Sequence, residues 1–127
     1  IAWTRDAFRD LLKIRASTSM LRLRSADDIK ARLSFHNLGS SQVETVIAGR
    51  LDGAGLAGAN FKELLYLVNV DKNARSVTLD ALKGRAYTLH PVHLNGTDRR
   101  PATRASVDTT TGTFNVPART VVVYVLN

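Results

Sequence analysis

The sequence predicts a mainly β domain: an antiparallel β-sandwich with Greek-key connections and about seven strands, preceded by one N-terminal α-helix. Three observations carry this. Residues 4–14 place their apolar side chains at helical spacing. From residue 33 onward, short β-prone runs recur at spacings of roughly 8–12 residues, separated by turn signals. The chain has 127 residues, 44% of them apolar and 23% charged, which suits one core of ordinary size.

The helix is expected first. Thr4 is a candidate N-cap, and Ala7, Phe8, Leu11, Leu12 and Ile14 follow. At ~100° per residue these five cover an arc of about 160°. That is wide for a helix on one surface and predicts burial against two bodies, or one large one. Asp6 and Asp10 alternate with Arg5, Arg9 and Lys13 on the other side, as on a solvated face.

Ser25 begins a second, short helix as its cap, with Asp28 at the acidic position of a capping box. Leu33-Ser34-Phe35 then reads as a strand, broken at His36-Asn37-Leu38-Gly39. Val43 to Leu51 holds a β-branched pair, Val46-Ile47. Asp52 to Gly58 is glycine-rich and predicts a flexible loop. Leu64 to Val70 is a strong strand, apolar on both faces at its centre, so both faces should be covered. After a turn at Asp71-Lys72-Asn73, Arg75 to Leu79 alternates and should be half-buried. Lys83-Gly84 turns into a strand over Ala86 to Leu89. Asn95-Gly96 is a tight-turn pair, and Arg99 to Arg104 with Pro101 reads as a loop or edge. Thr111-Gly112 leads to Thr113–Val116, and Pro117-Ala118-Arg119 to the most β-prone run, Thr120 to Leu126.

Composition excludes several classes. There is no Cys, so disulfide scaffolds, thiolate zinc sites and thiol catalysis are out. The longest apolar run, Val121 to Leu126, falls far short of the ~20 residues of a membrane span. The chain opens on Ile1 rather than Met, so it is expected to be a piece of something longer. Lys and Arg outnumber Asp and Glu by 18 to 11, a formal charge of +7. Residues 1–32 hold eight of the basic residues and four Asp, so they carry more than half of that excess. A surface shaped for a neighbouring domain explains that concentration better than a polyanion site, because aromatic residues to stack on bases make up only 6%.

No constellation for chemistry emerges. His90 and His93 are three apart, and in an extended chain they would point to opposite faces, so a structural or surface role is expected rather than a metal. Only two Glu exist, Glu44 and Glu63, and Asp52, Asp71 and Asp98 sit beside turn signals. Gly53, Gly55 and Gly58 match G-x-G-x-x-G but lack a βαβ setting. Asn95-Gly96-Thr97 fits a glycosylation sequon but reads more simply as a turn. No catalytic, cofactor-binding or metal residue is assigned, and no cofactor is expected.

A family resemblance adds what patterning cannot. Phe8-Arg9-Asp10-Leu11-Leu12-Lys13-Ile14-Arg15, then Ser19-Met20-Leu21-Arg22-Leu23, resembles the end of the catalytic (β/α)8 barrel in the α-amylase superfamily. The stretches Arg32–Gly39, Leu65–Val70, Leu89–Val92 and Gly112–Thr120 resemble, in order, the C-terminal domain of pullulanase-type α-1,6-glucosidases, including limit dextrinases. The resemblance implies residues 1–24 as the terminal barrel helix and its connector, and 25–127 as a C-terminal β-sandwich. It implies a parent glycoside hydrolase that cleaves α-1,6 branch points in pullulan and in starch- or glycogen-derived dextrins. The family's catalytic acids lie on barrel strands outside this segment. The Gly-rich stretch Asp52 to Asn60 departs most from the family pattern.

The expected function is therefore that of a non-catalytic domain stabilising the barrel of the same polypeptide, with α-glucan met through the parent enzyme. Localisation is left open by the resemblance: secreted or cell-surface for a bacterial enzyme, otherwise cytoplasmic or plastid. Interface candidates are Trp3, Phe8, Leu11, Leu12 and Arg15. An alternative is a carbohydrate-binding module stacking sugars on Trp3, Tyr66, Tyr87 or Tyr124, although Tyr66 and Tyr124 lie in aliphatic runs that suit a core. A basic nucleic-acid binder is the third reading.

Overall fold

Eight strands form two antiparallel sheets. The computed structural model describes residues 1–127. The larger sheet contains β1 (Leu33–His36), β2 (Val46–Asp52), β3 (Glu63–Asn69), β8 (Thr120–Leu126) and β5 (Thr88–Leu89), in that order. The smaller contains β4 (Arg75–Thr78), β7 (Thr113–Val116) and β6 (Ser106–Asp108). After β3 the chain crosses between the sheets four times, with only the β6–β7 hairpin staying in one sheet, as the connections of a sandwich require.

Alternation along the strands builds the main core. Val46 and Ala48, Leu65 and Leu67, and Val122 and Tyr124 point inward from the large sheet. They meet Val77, Phe114 and Val116 of the small sheet, with Leu79, Leu82 and Tyr87 closing the ends. Each fully buried aliphatic side chain here contributes about 1.5–3 kcal/mol. Buried Asn69 ties the sheets together, donating from Nδ2 to the carbonyls of Val116 (3.2 Å) and Pro117 (3.1 Å). In the β6–β7 turn Gly112 has φ +72°, and a Cβ there would stand 2.6 Å from the Leu79 carbonyl oxygen, so no other residue fits.

Four α-helices, α1 (Ala2–Ala16), α2 (Ala26–Arg32), α3 (Pro91–Leu94) and α4 (Arg100–Arg104), and two 3-10 turns, Ser19–Arg22 and Asp80–Leu82, complete the chain. Ser25 caps α2 as expected, its Oγ accepting from the Asp28 N–H at 3.1 Å. Asp52, Asp71 and Asp98 serve turns, each accepting from the backbone N–H two residues on.

Several expectations are corrected. α1 starts at Ala2, ahead of Thr4, and has no side-chain cap. Ala86 to Leu89 yields only the two-residue β5. Residues 90–93 are not extended: His90 caps α3, and both imidazoles are buried. Asn95-Gly96 ends α3 instead of closing a hairpin. Arg99 to Arg104 is largely helical because Pro101 falls in the first turn, where a missing N–H costs nothing. The glycine-rich loop is pinned rather than loose: Ser19 N–H donates to Gly58 O at 3.0 Å, Ser19 Oγ to Ala57 O at 2.7 Å, and Asn60 Nδ2 to Ser17 O at 2.8 Å.

Candidate functional site: the open face of the terminal helix

One edge of the apolar arc of α1 is docked. Ile14 is only 2% exposed and joins Leu51, Leu64 and Val123, with Met20 and Ala59, in a second core on the outer face of the large sheet. Polar contacts fix the helix there. Asp10 Oδ2 accepts from the Thr97 N–H at 2.7 Å, a bond that holds the Asp10 carboxyl below its ordinary range. Ser17 Oγ donates to the Ile14 carbonyl at 2.6 Å and lies 2.9 Å from His90 Nε2. The Nδ1 of His90 accepts from Val92 N–H, so its Nε2 carries the proton and donates to Ser17.

The rest of the arc is bare. Phe8 is 60% exposed and Leu12 47%, with Leu11 and Arg15 exposed beside them. Trp3 is 51% exposed and stands at the mouth of a cleft of about 270 Å³. Trp3, Phe8 and Leu11 form its helix wall, and Arg100, Arg119 and Val121 face them. Arg100 lies over the Trp3 ring at 6.0 Å. It forks onto Asp98 at 2.9 and 2.8 Å and reaches the Ala118 carbonyl at 3.2 Å. Burial disfavours the Asp98 charge, but that fork more than offsets it and keeps the carboxyl below its usual range.

Five further apolar residues extend this surface, and the sequence reading did not single them out as a surface. Phe35, Ile47, Tyr66, Val68 and Val121 stand on the same outer face as Leu51 and Leu64. α1 and its connector cover one end of that face and leave these exposed or half-buried. Tyr66 lies across Gly49 of β2, whose missing side chain makes room for the ring. Strand alternation shows that a face is apolar, not what covers it.

The proposed sugar rings fare differently. Tyr87 and Tyr124 are core residues, packed edge-on to Phe114 at 6.2 and 5.2 Å, and offer no ring face to a ligand. Burial pushes the Tyr124 hydroxyl up to about 12. Tyr66 is half-buried, and only Trp3 is well exposed.

At the far end of the sandwich, buried Glu63 is clamped by two guanidinium groups. Arg50 and Arg85 both pair with it, Arg85 at 2.5 Å, and the Tyr87 hydroxyl donates at 3.3 Å. Asp52 stands directly across from Glu63 on β2, but its carboxylate caps the turn at Ala54. The geometry is that of a structural ion cluster, in which one carboxylate is held by two cations.

A family model of the C-terminal region of pullulanase-type alpha-1,6-glucosidases matches residues 1–127. The chain belongs to this family. A chloroplastic pullulanase of Arabidopsis thaliana is 36% identical over 98% of the chain. The chain spans only 14% of that relative's length. Among solved structures, an apo pullulanase from Klebsiella pneumoniae superposes with a TM-score of 0.76 at 21% identity, over 94% of this chain and 13% of its own. A pullulanase from Paenibacillus barengoltzii, complexed with maltotriose, gives 0.68 at 24% identity, over 93% of this chain and 16% of its own. These likenesses place the sandwich and its leading helix in the fold of a pullulanase C-terminal domain.

Within that pullulanase-type domain, the motifs that carried the resemblance fall at structural joints. Arg32–Gly39 spans the end of α2 and β1, and Leu65–Val70 lies in and just after β3. Leu89–Val92 brings His90 under α1, and Gly112–Thr120 holds the tight turn before β7 and the start of β8.

Proposed function

We propose that the chain is the non-catalytic C-terminal β domain of a debranching enzyme that hydrolyses α-1,6-glucosidic bonds, and that it stabilises the catalytic (β/α)8 barrel of the same polypeptide. In this reading residues 1–24 are the last barrel helix and its connector, and residues 25–127 are the sandwich. Trp3, Phe8, Leu11, Leu12 and Arg15 form the contact with the barrel, and α-glucan is bound by the barrel's own site.

The observation that carries this reading is the divided arc of α1. Ile14 and Ala7 turn to the sandwich, while Phe8, Leu11 and Leu12 turn to solvent. Large apolar side chains clustered on an exposed face mark an interaction surface. A helix bare on one apolar side and anchored on the other is suited to bridge two bodies.

The test uses the longer polypeptide with Phe8→Asp and Leu12→Asp together. In the 127-residue chain alone these exposed changes leave stability within about 0.5 kcal/mol. In the longer polypeptide they are expected to split one thermal unfolding transition into two and to lower activity on pullulan after mild heating. An unchanged transition and unchanged heat resistance would remove the bridging role.

A further inference from the structure

The outer face of the large sheet is apolar across its four longer strands, with Thr88 the one polar residue at the β5 edge. Leu33 and Phe35 lie on β1; Ile47, Gly49 and Leu51 on β2; Leu64, Tyr66 and Val68 on β3; Val121, Val123 and Val125 on β8. Five strands make a surface about 20 Å wide, while a helix with its side chains is about 10–12 Å across. Such a face takes two helices side by side. α1 is one of them. Its partners Val123, Thr97 and His90 set it on the β8 and β5 side. The other half, floored by Phe35, Ile47, Tyr66, Val68 and Val121, lies open next to the bare wall of Phe8 and Leu11.

The floor limits what can lie on it. Its side chains present one hydroxyl, Tyr66, and otherwise no donors or acceptors. An extended segment or loop laid across it would bury backbone N–H and C=O groups without partners. A helix satisfies those groups internally and brings only side chains to the surface. Two cations border the open strip: Arg15 on α1, and Arg119, which lines the cleft with Phe8 and Val121. Neither has a carboxylate within ion-pair distance in this chain.

We infer that the open half of the sheet seats a second α-helix alongside α1, with an apolar stripe flanked by carboxylates, supplied by the remainder of the longer polypeptide. This rests on the docking reading given above. The chain's relatives are several times longer than the 127 residues, which leaves ample chain to provide it.

The experiment places the photo-crosslinker p-benzoyl-phenylalanine at Phe8, Ile47 or Val68 of the longer polypeptide, with linked peptides mapped by mass spectrometry. Links from Ile47 and Val68 are expected within one segment, at residues three, four or seven apart. Links two residues apart, links scattered over several segments, or none from Ile47 and Val68 while Phe8 still links, would overturn the helix and leave the docking reading standing. No links from Phe8 either would remove the docking reading itself, and links between two copies of this chain would replace both. Arg15→Glu with Arg119→Glu is expected to cut the Ile47 yield several-fold. An unchanged yield would remove the carboxylate flank.

Discussion

The buried backbone N–H of Val123 donates to the Nε2 of His93 at 3.0 Å. On the same residue, the Val123 carbonyl accepts from the His90 N–H at 2.9 Å. Two histidine positions thus continue the ladder of β8 beyond the short β5, and they do so directly beneath α1. An imidazole that accepts must be neutral at that nitrogen. Burial first, and the nearby His90 second, depress His93 from 6.5 to about 4, with Asp98 and Asp10 acting weakly against the shift. Burial also lowers His90.

The sign follows from proton counting. Between about 4 and 6.5 the unfolded chain binds more protons than the folded one, so stability rises with pH across that window. The contribution is complete above 6.5 and is lost as the pH falls through about 4. For His93 it is on the order of 3 kcal/mol. Urea midpoints at about pH 7 and about pH 4.5 are expected to show it, and His93→Gln, which keeps an acceptor for Val123, should shrink the difference. An equal pH dependence in the variant would mean that other groups carry the effect.

Glu63 gives the second prediction. Its carboxylate is the shared anion for Arg50 and Arg85, and the Tyr87 hydroxyl adds a bond. Removing one partner from a buried ionic cluster leaves the others without compensation. Glu63→Gln is expected to lower the unfolding free energy by about 2–4 kcal/mol in chemical denaturation. Arg85→Ala removes a more exposed member and should cost less. A loss below about 1 kcal/mol for Glu63→Gln would show that the cluster holds nothing together.

Much of this fold is legible from short-range chemistry. The Ser25 cap, the strands around Leu64–Asn69 and Thr120–Leu126, and the Thr111-Gly112 turn follow from residue type and spacing. The wide arc of α1 pointed to burial against two bodies or one large one, and the sandwich takes one edge of it at Ile14. What was not legible depends on distant partners. β5 is cut short because His90 and His93 take over its pairing. The loop at Gly53–Gly58 is anchored by Ser19 and Asn60, which no local pattern reveals. β3 was expected to be covered on both faces. The second sheet covers one, while the other is shared between α1 and the open strip at Ile47 and Val68.

The final prediction concerns sugar. The chain contains a single tryptophan, so its fluorescence reports on Trp3 alone. A sugar platform needs an open ring face with polar groups ready to bond hydroxyls. Arg100 occupies one side of the Trp3 ring, and the polar groups around it are spent on one another: Asp98 on Arg100, and Asp10 on Thr97. Maltotriose is therefore expected to leave the emission of the 127-residue chain unshifted and unquenched at millimolar concentration. Arg100→Ala should move the emission by itself, because it changes the cation above the ring. A saturable maltotriose response in the unaltered chain, abolished by Trp3→Ala, would make this face a carbohydrate site and would remove Trp3 from the proposed barrel contact.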